Sequence, residues 1–198
     1  MSKVEDTTDK MDTIVNKGTG AGGSKTTLNG GNFECKTDNE PRLLANGFIK
    51  GRIPSKKGKH DYIIEKDNVI FVKQNGVKTY MKLKFNKQVF RKPDEAYLIQ
   101  RGDKLVLKIL EKKNQNGEGS VEDKLCNAGY FLKEYKSCLG DDFAVEYAYC
   151  MSSFLQKKYT SNNEKFKIMR KIHADEGVTI LFGDDEDYFT KLDDWIYS

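Results

Sequence analysis

The stretch Pro93-Asp-Glu-Ala-Tyr-Leu-Ile-Gln-Arg-Gly-Asp-Lys-Leu-Val-Leu-Lys-Ile-Leu-Glu-Lys-Lys113 decides the fold. Two apolar runs, Glu95–Ile99 and Lys104–Leu110, flank Arg101-Gly102-Asp103, where glycine permits a tight reversal. The triplet reads as a turn rather than an adhesion signal, and the runs read as two paired strands, the second extending to Lys113. Counting outward from Gly102 sets Asp94 across from about Leu110, so Asp94 and Glu111 are expected as near neighbours. Side chains alternate along a strand, which puts Glu111 and Lys113 on one face and Lys112 on the other.

Working outward, Tyr62–Glu65 and Asn68–Lys73 are period-two runs, and Thr79–Phe85 after Asn75-Gly76 reads as a further strand closing a hairpin. Residues 32–44 read as a helix with Phe33, Thr37 and Leu44 on one side, although Pro41 weakens its second half. Downstream, Val121, Leu125, Ala128 and Leu132 fall at helical spacing after Ser120, with Asp123 near the helix start. A strand over Phe143–Cys150 follows. Ser161-Asn-Asn-Glu164 has the form of a capping box for a helix reaching about His173. Val178–Phe182 is a short strand, and Asp184 or Asp185 is placed to cap a last helix carrying Tyr188, Phe189, Leu192, Trp195 and Ile196. The order predicts an α/β (α+β) fold, a mixed central sheet with helices on its faces.

The chain has 198 residues, 37% hydrophobic and 32% charged, which suits one domain with a single core. Residues 1–31 are polar and glycine-rich and read as an arm, with room for a short helix over Thr8–Val15; residues 32–198 read as the domain, with residues 50–92 as a cationic β-hairpin section. The net charge of +4 permits a nucleic-acid partner without demanding one. Neither an apolar run of about 18 residues nor a secretory h-region is apparent, so no membrane partner and a cytoplasmic location are expected. Cys35, Cys126, Cys138 and Cys150 lack a C-x-x-C pair and read as buried free thiols. His60 and His173 lack a convincing catalytic partner and read as surface residues.

The glycine-rich stretch Asn16–Thr27 resembles a phosphate-binding Walker loop, but Ser24 separates Gly23 from Lys25 and breaks the spacing. No nucleotide cofactor is therefore expected. A flexible linker is one reading; the other is a loop whose bare backbone at Gly20, Gly22 and Gly23, with Lys17 and Lys25, lies against nucleic-acid phosphates. Two carboxylates and an ammonium gathered at one sheet end are costly unless a divalent cation or a phosphate completes the set. Magnesium suits such hard oxygen ligands. On spacing alone, Glu111-Lys-Lys113 also fits an ordinary solvated strand end.

Pro93-Asp94 followed by Glu111-x-Lys113 resembles the PD-(D/E)XK nuclease core, and more narrowly the small type II restriction endonucleases. The glycine-rich loop leading to Asn32-Phe-Glu34, the Gly119-Ser-Val-Glu-Asp-Lys-Leu125 segment and the acidic-aromatic end of the chain extend the resemblance over residues 16–196. It implies a restriction-endonuclease-like fold and a homodimer that hydrolyses double-stranded DNA at a short palindrome, with one or two Mg2+ ions per site and 5′-phosphate ends. Asp94 and Glu111 would ligate the metal, Lys113 would be the catalytic lysine, and Glu34 would match an additional acidic ligand on the first helix. Arg91, Lys92 and Lys112 would meet phosphates, and Asn114 or Gln115 the scissile strand or a base edge. A repair, recombination or nicking nuclease of the same fold, and a DNA-binding module that never cuts, are the alternatives. The recognition sequence and cut position are not legible.

Overall fold

A computed structural model describes residues 32–53, 62–115 and 120–198. The expected arm, including Lys17, Gly20, Gly22, Gly23 and Lys25, and also His60, lie outside the described residues. Among those described, one seven-stranded sheet runs in chain order: β1 (Ile49–Arg52), β2 (Tyr62–Lys66), β3 (Val69–Val72), β4 (Glu95–Arg101), β5 (Lys104–Lys113), β6 (Phe143–Met151) and β7 (Val178–Phe182). Strands β1 to β5 are antiparallel neighbours, whereas β5–β6 and β6–β7 are parallel. The mixed α/β class expected from the sequence is what the structure has.

The helices follow from the strand directions. A parallel join needs a crossover, and the β5-to-β6 crossover carries α4 (Val121–Leu125) and α5 (Ala128–Leu139). That from β6 to β7 carries α6 (Ser153–Tyr159) and α7 (Glu164–Asp175). These helices share one face of the sheet with α3 (Asn75–Phe85), burying Leu125, Leu132, Leu155 and Phe166 against Ala96, Leu98, Leu107 and Ile109. The other face is covered by α1 (residues 32–36), α2 (Glu40–Ala45) and α8 (Tyr188–Tyr197), with Phe33, Leu43, Leu192 and Trp195 packed on Tyr97, Val106 and Leu110. With both faces covered, β5 is buried almost continuously.

Several local readings change. Asn75-Gly76 does not turn a hairpin; it opens α3, and Val77, Tyr80, Met81 and Phe85 meet the sheet at helical spacing. Gly76 is needed for close approach, because a Cβ there would lie 2.8 Å from Val72 Cγ2. Asn86 ends the helix in the left-handed conformation while the Asn86 and Lys87 amides donate to the Lys82 and Met81 carbonyls. The hairpin turn sits instead at Asp67-Asn68, between Lys66 and Val69, with Asp67 at φ 53°. The 32–44 helix is two helices, broken before Pro41, and the inward leucine is Leu43 rather than Leu44. The Ser120 helix likewise breaks between α4 and α5.

The cap of α7 is Asn163, whose side chain accepts from the Lys165 amide, not Ser161. The residue at the α8 cap position is Asp187, while Asp184 accepts from the Ser153 amide of α6. Strand β1 and helix α6 had no reading in the sequence. All four cysteines are free, but Cys35 and Cys126 are exposed, on outward positions of short helical turns. His173 is buried, not superficial: its Nδ1 lies 3.0 Å from the Tyr159 hydroxyl and its Nε2 2.9 Å from the Leu125 carbonyl. The pairing assigns the proton to Nε2, which donates to the carbonyl, and leaves Nδ1 to accept from tyrosine.

One buried ion pair and its hydrogen bonds join α2 and α8 to the sheet. Glu95 on β4 and Lys112 on β5 meet at 2.6 Å, and the Lys112 side chain is only 3% exposed. Glu95 Oε1 also accepts from the Asn39 amide, and Oε2 accepts from the Tyr97 hydroxyl at 2.6 Å. Asn39 Oδ1 in turn accepts from Arg42, which is bonded to Asp193 of α8. Removing one partner of a buried pair strands the other charge, typically at about 3–5 kcal/mol, whereas an apolar pair of similar volume is near neutral. Glu95→Ala is therefore expected to lower the urea-unfolding free energy by about 3–5 kcal/mol, and Glu95→Leu/Lys112→Met by much less; a single variant as stable as the double would refute this role.

Burial holds the His173 imidazolium below its ordinary pKa, opposed in part by the Leu125 carbonyl. The unfolded chain then binds the proton more readily, so this contribution to stability is full above the ordinary histidine value of about 6.5 and is lost as pH falls toward the folded value. The expected acid limb has a slope of at most about 1.4 kcal/mol per pH unit from this one proton. Unfolding curves of the wild type and His173→Gln across that range should converge as pH drops.

Candidate active site

Strand register puts the acidic residues together. Glu95 pairs with Leu110, so Asp94 is set directly across from Glu111, one position beyond the expected Leu110. Opposed residues of an antiparallel pair point to the same side, and that side is the α3–α7 face, away from the Glu95–Lys112 pair. Asp94 Oδ2 accepts from the Lys112 amide at 2.7 Å, which anchors the carboxylate to the backbone between Glu111 and Lys113. Lys113 Nζ donates to Glu111 Oε2 at 2.8 Å and lies 5.8 Å from the Tyr149 ring centroid.

Glu111 is the strained member. Its side chain is 19% exposed, and burial raises its pKa above the ordinary carboxylate value. The Lys113 ammonium pulls it back, Asp94 adds repulsion, and Arg91 supplies a weaker attraction. Behind it stand Tyr135, Tyr147 and Tyr149, whose hydroxyls are pushed upward first by burial and then in part by the Glu111 charge. Tyr149 also donates to the Lys124 carbonyl at 3.1 Å, holding α4 against β6.

Glu111 and Lys113 open onto a cleft of about 390 Å³, walled by Phe90, Arg91 and Lys92 on one side and by Lys124, Asn127 and Phe131 on the other. Arg91 pairs with Glu134 at 2.5 Å and lies 4.1 Å over the Phe131 ring, while Lys92 is solvent-exposed. Lys124, Asn127, Phe131 and Glu134 had no functional reading in the sequence. They are far from the motif along the chain and reach it only because the crossover helices return to the same face.

Not every expected residue arrives. Lys112 is buried on the opposite face with Glu95, so its ammonium does not present to a phosphate. Gln115 is buried, its amide donating to Ser152 Oγ at 3.3 Å and its carbonyl accepting from the same hydroxyl, which ties the end of β5 to the start of α6. Asn114 is half-buried at that strand end. The Glu34 side chain is exposed on α1, and its backbone carbonyl accepts from Lys112 Nζ at 3.5 Å, which places it by the buried pair rather than beside Asp94 and Glu111. Part of the cationic 50–92 section is neutralised: Lys50 and Lys73 meet Glu40, Lys73 also meets Asp38, and Lys87 meets Asp142.

Mg2+ prefers oxygen ligands and keeps several waters. Asp94 Oδ1 and Glu111 Oε1 are the oxygens not engaged by the Lys112 amide or Lys113, so the pair offers two hard ligands beside an open cleft. Among the described residues no three acidic, histidine or cysteine side chains converge. No helix among the described residues is long and apolar enough to cross a membrane. No known protein family, curated protein or solved structure matches this chain.

A buried carboxylate with a raised pKa destabilises the folded protein as pH rises from the unfolded value, near 4.5, through the folded one. Above that window, Glu111→Gln is expected to raise Tm in EDTA. Each 1 kcal/mol moves Tm by about 2–4 °C at this chain length. Magnesium should raise the Tm of the wild type and leave Glu111→Gln unmoved; equal metal responses would remove Glu111 from the ligand set.

Proposed function

We propose that the chain is a magnesium-dependent DNA endonuclease of the type II restriction class, hydrolysing a phosphodiester at the Asp94/Glu111/Lys113 cleft. The observation that carries the reading is the direct opposition of Asp94 and Glu111, with Lys113 bonded to Glu111, on a face where burial already disfavours the Glu111 charge. A bound Mg2+ would polarise the phosphate and lower the pKa of a coordinated water. Asp94 and Glu111 would hold that ion, and Asp94 is kept in place by the Lys112 amide. Lys113 sits where an ammonium can orient the attacking water or offset charge developing on the phosphate.

Lys92 and Lys124, both exposed on the cleft walls, suit the flanking phosphates of the strand. Arg91, fixed by Glu134 and Phe131, contributes shape to the wall more than free charge. Action on a short palindrome entails a two-fold arrangement of two chains, each cutting one strand. The 5′-phosphate ends and the homodimer belong to this proposal.

The test is incubation of plasmid and viral DNA with the protein in magnesium or in EDTA, followed by sequencing of the fragment ends. Defined 5′-phosphate ends in magnesium alone are expected. Asp94→Ala and Glu111→Ala should abolish cutting while DNA binding persists, and Lys113→Ala should lower the cleavage rate by about 10²–10³-fold or more. Full activity in any of the three, or binding with no metal-dependent cleavage by the wild type, would overturn the reading.

A further inference from the structure

Two large aromatic side chains stand in solvent, one lining the cleft and one next to its Arg91 and Phe131. Phe90 is 58% exposed and Tyr130 is 63% exposed. Phe90 belongs to the extended segment that leads from α3 into Pro93-Asp94, and it lines the same cleft as Glu111 and Lys113. Tyr130 lies on the facing helix α5. The Arg91 guanidinium is 5.7 Å from the Tyr130 ring centroid and 4.1 Å from that of Phe131, and the two rings are 5.9 Å apart.

The arrangement alternates apolar rings with cations. Arg91 and Lys113 are paired with Glu134 and Glu111, whereas Lys92 and Lys124 have no ion pair among the described residues. The cleft therefore carries two positive charges without an ion pair together with the exposed Phe90 ring. A single nucleic-acid strand has the complementary pattern, with phosphates that meet the lysines and bases that offer flat faces to aromatic rings. In an intact duplex the bases are stacked on one another and their faces are not available to side chains.

We propose that Phe90 and Tyr130 form a stacking surface for a nucleobase, so that the site takes DNA in which a nucleotide beside the cleaved phosphate is unpaired or turned out of the helix. The choice of DNA rests on the nuclease reading; the stacking surface rests on the exposed rings and the cleft's two lysines without an ion pair. Stacking on an aromatic ring is worth about 1–3 kcal/mol per base, or about five- to 150-fold in affinity.

The experiment measures fluorescence anisotropy in EDTA, so that no cleavage intervenes, with three fluorescein-labelled DNAs: a single strand of mixed sequence, its blunt duplex, and the duplex with a central single-stranded gap. Phe90→Ala/Tyr130→Ala, both at exposed positions, should weaken binding of the single strand and the gapped duplex by about tenfold or more while blunt-duplex binding stays within about twofold. Phe90→Trp/Tyr130→Trp should restore the lost affinity. Equal losses on all three DNAs, no loss on any, or no binding by the wild type overturns the proposal. Failure of the nuclease reading registers separately, as absent cleavage in magnesium.

Discussion

The buried Glu95–Lys112 pair is the constraint on which the rest of the molecule depends. Each member is a neighbour in sequence of a candidate active-site residue: Glu95 follows Asp94, and Lys112 separates Glu111 from Lys113. Alternation along a strand means that fixing Glu95 and Lys112 on one face fixes Asp94, Glu111 and Lys113 on the other. A one-residue slip of β5 against β4 would turn one strand's side chains to the opposite face, parting Lys112 from Glu95 and Glu111 from Asp94. The ion pair and its bonds to Asn39 and Tyr97 thus penalise the one register error that would dismantle the site. Such specificity comes at an energetic cost, since two buried charges of this kind rarely stabilise more than an apolar pair would.

The two faces of the same strand pair treat charge in opposite ways. On the α1 side Glu95 has a lysine, a backbone amide and a tyrosine hydroxyl, so its oxygens are engaged. On the other side Glu111 has Lys113 and little else, with three tyrosines behind it and Asp94 repelling it. The first arrangement serves the fold. The second leaves electrostatic demand unmet at the rim of a cleft, the pattern expected where a cation or a charged substrate completes the set.

What the sequence showed and what it hid divide along physical lines. The Gly102 hairpin was legible because a glycine at φ 56° between two apolar runs leaves few alternatives, and the proximity of Asp94 and Glu111 follows from that turn alone. Asn75-Gly76 misled because the same dipeptide serves a tight turn and a close helix–strand contact; only the 2.8 Å approach to Val72 distinguishes them. Lys112 looked like a phosphate ligand because a lysine inside the candidate motif carries no mark of burial, and its partner Glu95 looked like the ordinary start of a strand. Lys124, Asn127 and Phe131 were invisible because their place in the cleft depends on how α4 and α5 return across the sheet, which is a long-range property.

The location of the cleft also has a topological cause. Strand β5 is antiparallel to β4 and parallel to β6, so it is the seam between a meander and a crossover-connected half. At its C-terminal end the chain must leave the sheet to begin the crossover, while at the same level β4 begins and brings Asp94 alongside. Among the described residues no strand continues there above Glu111, and the first helices of the crossover pass close enough to wall the space with Lys124 and Phe131. A seam of this kind leaves a crevice by construction, as at the switch points of open α/β sheets. The residues occupying it, two acids and a lysine flanked by cations and rings, determine what the crevice can bind.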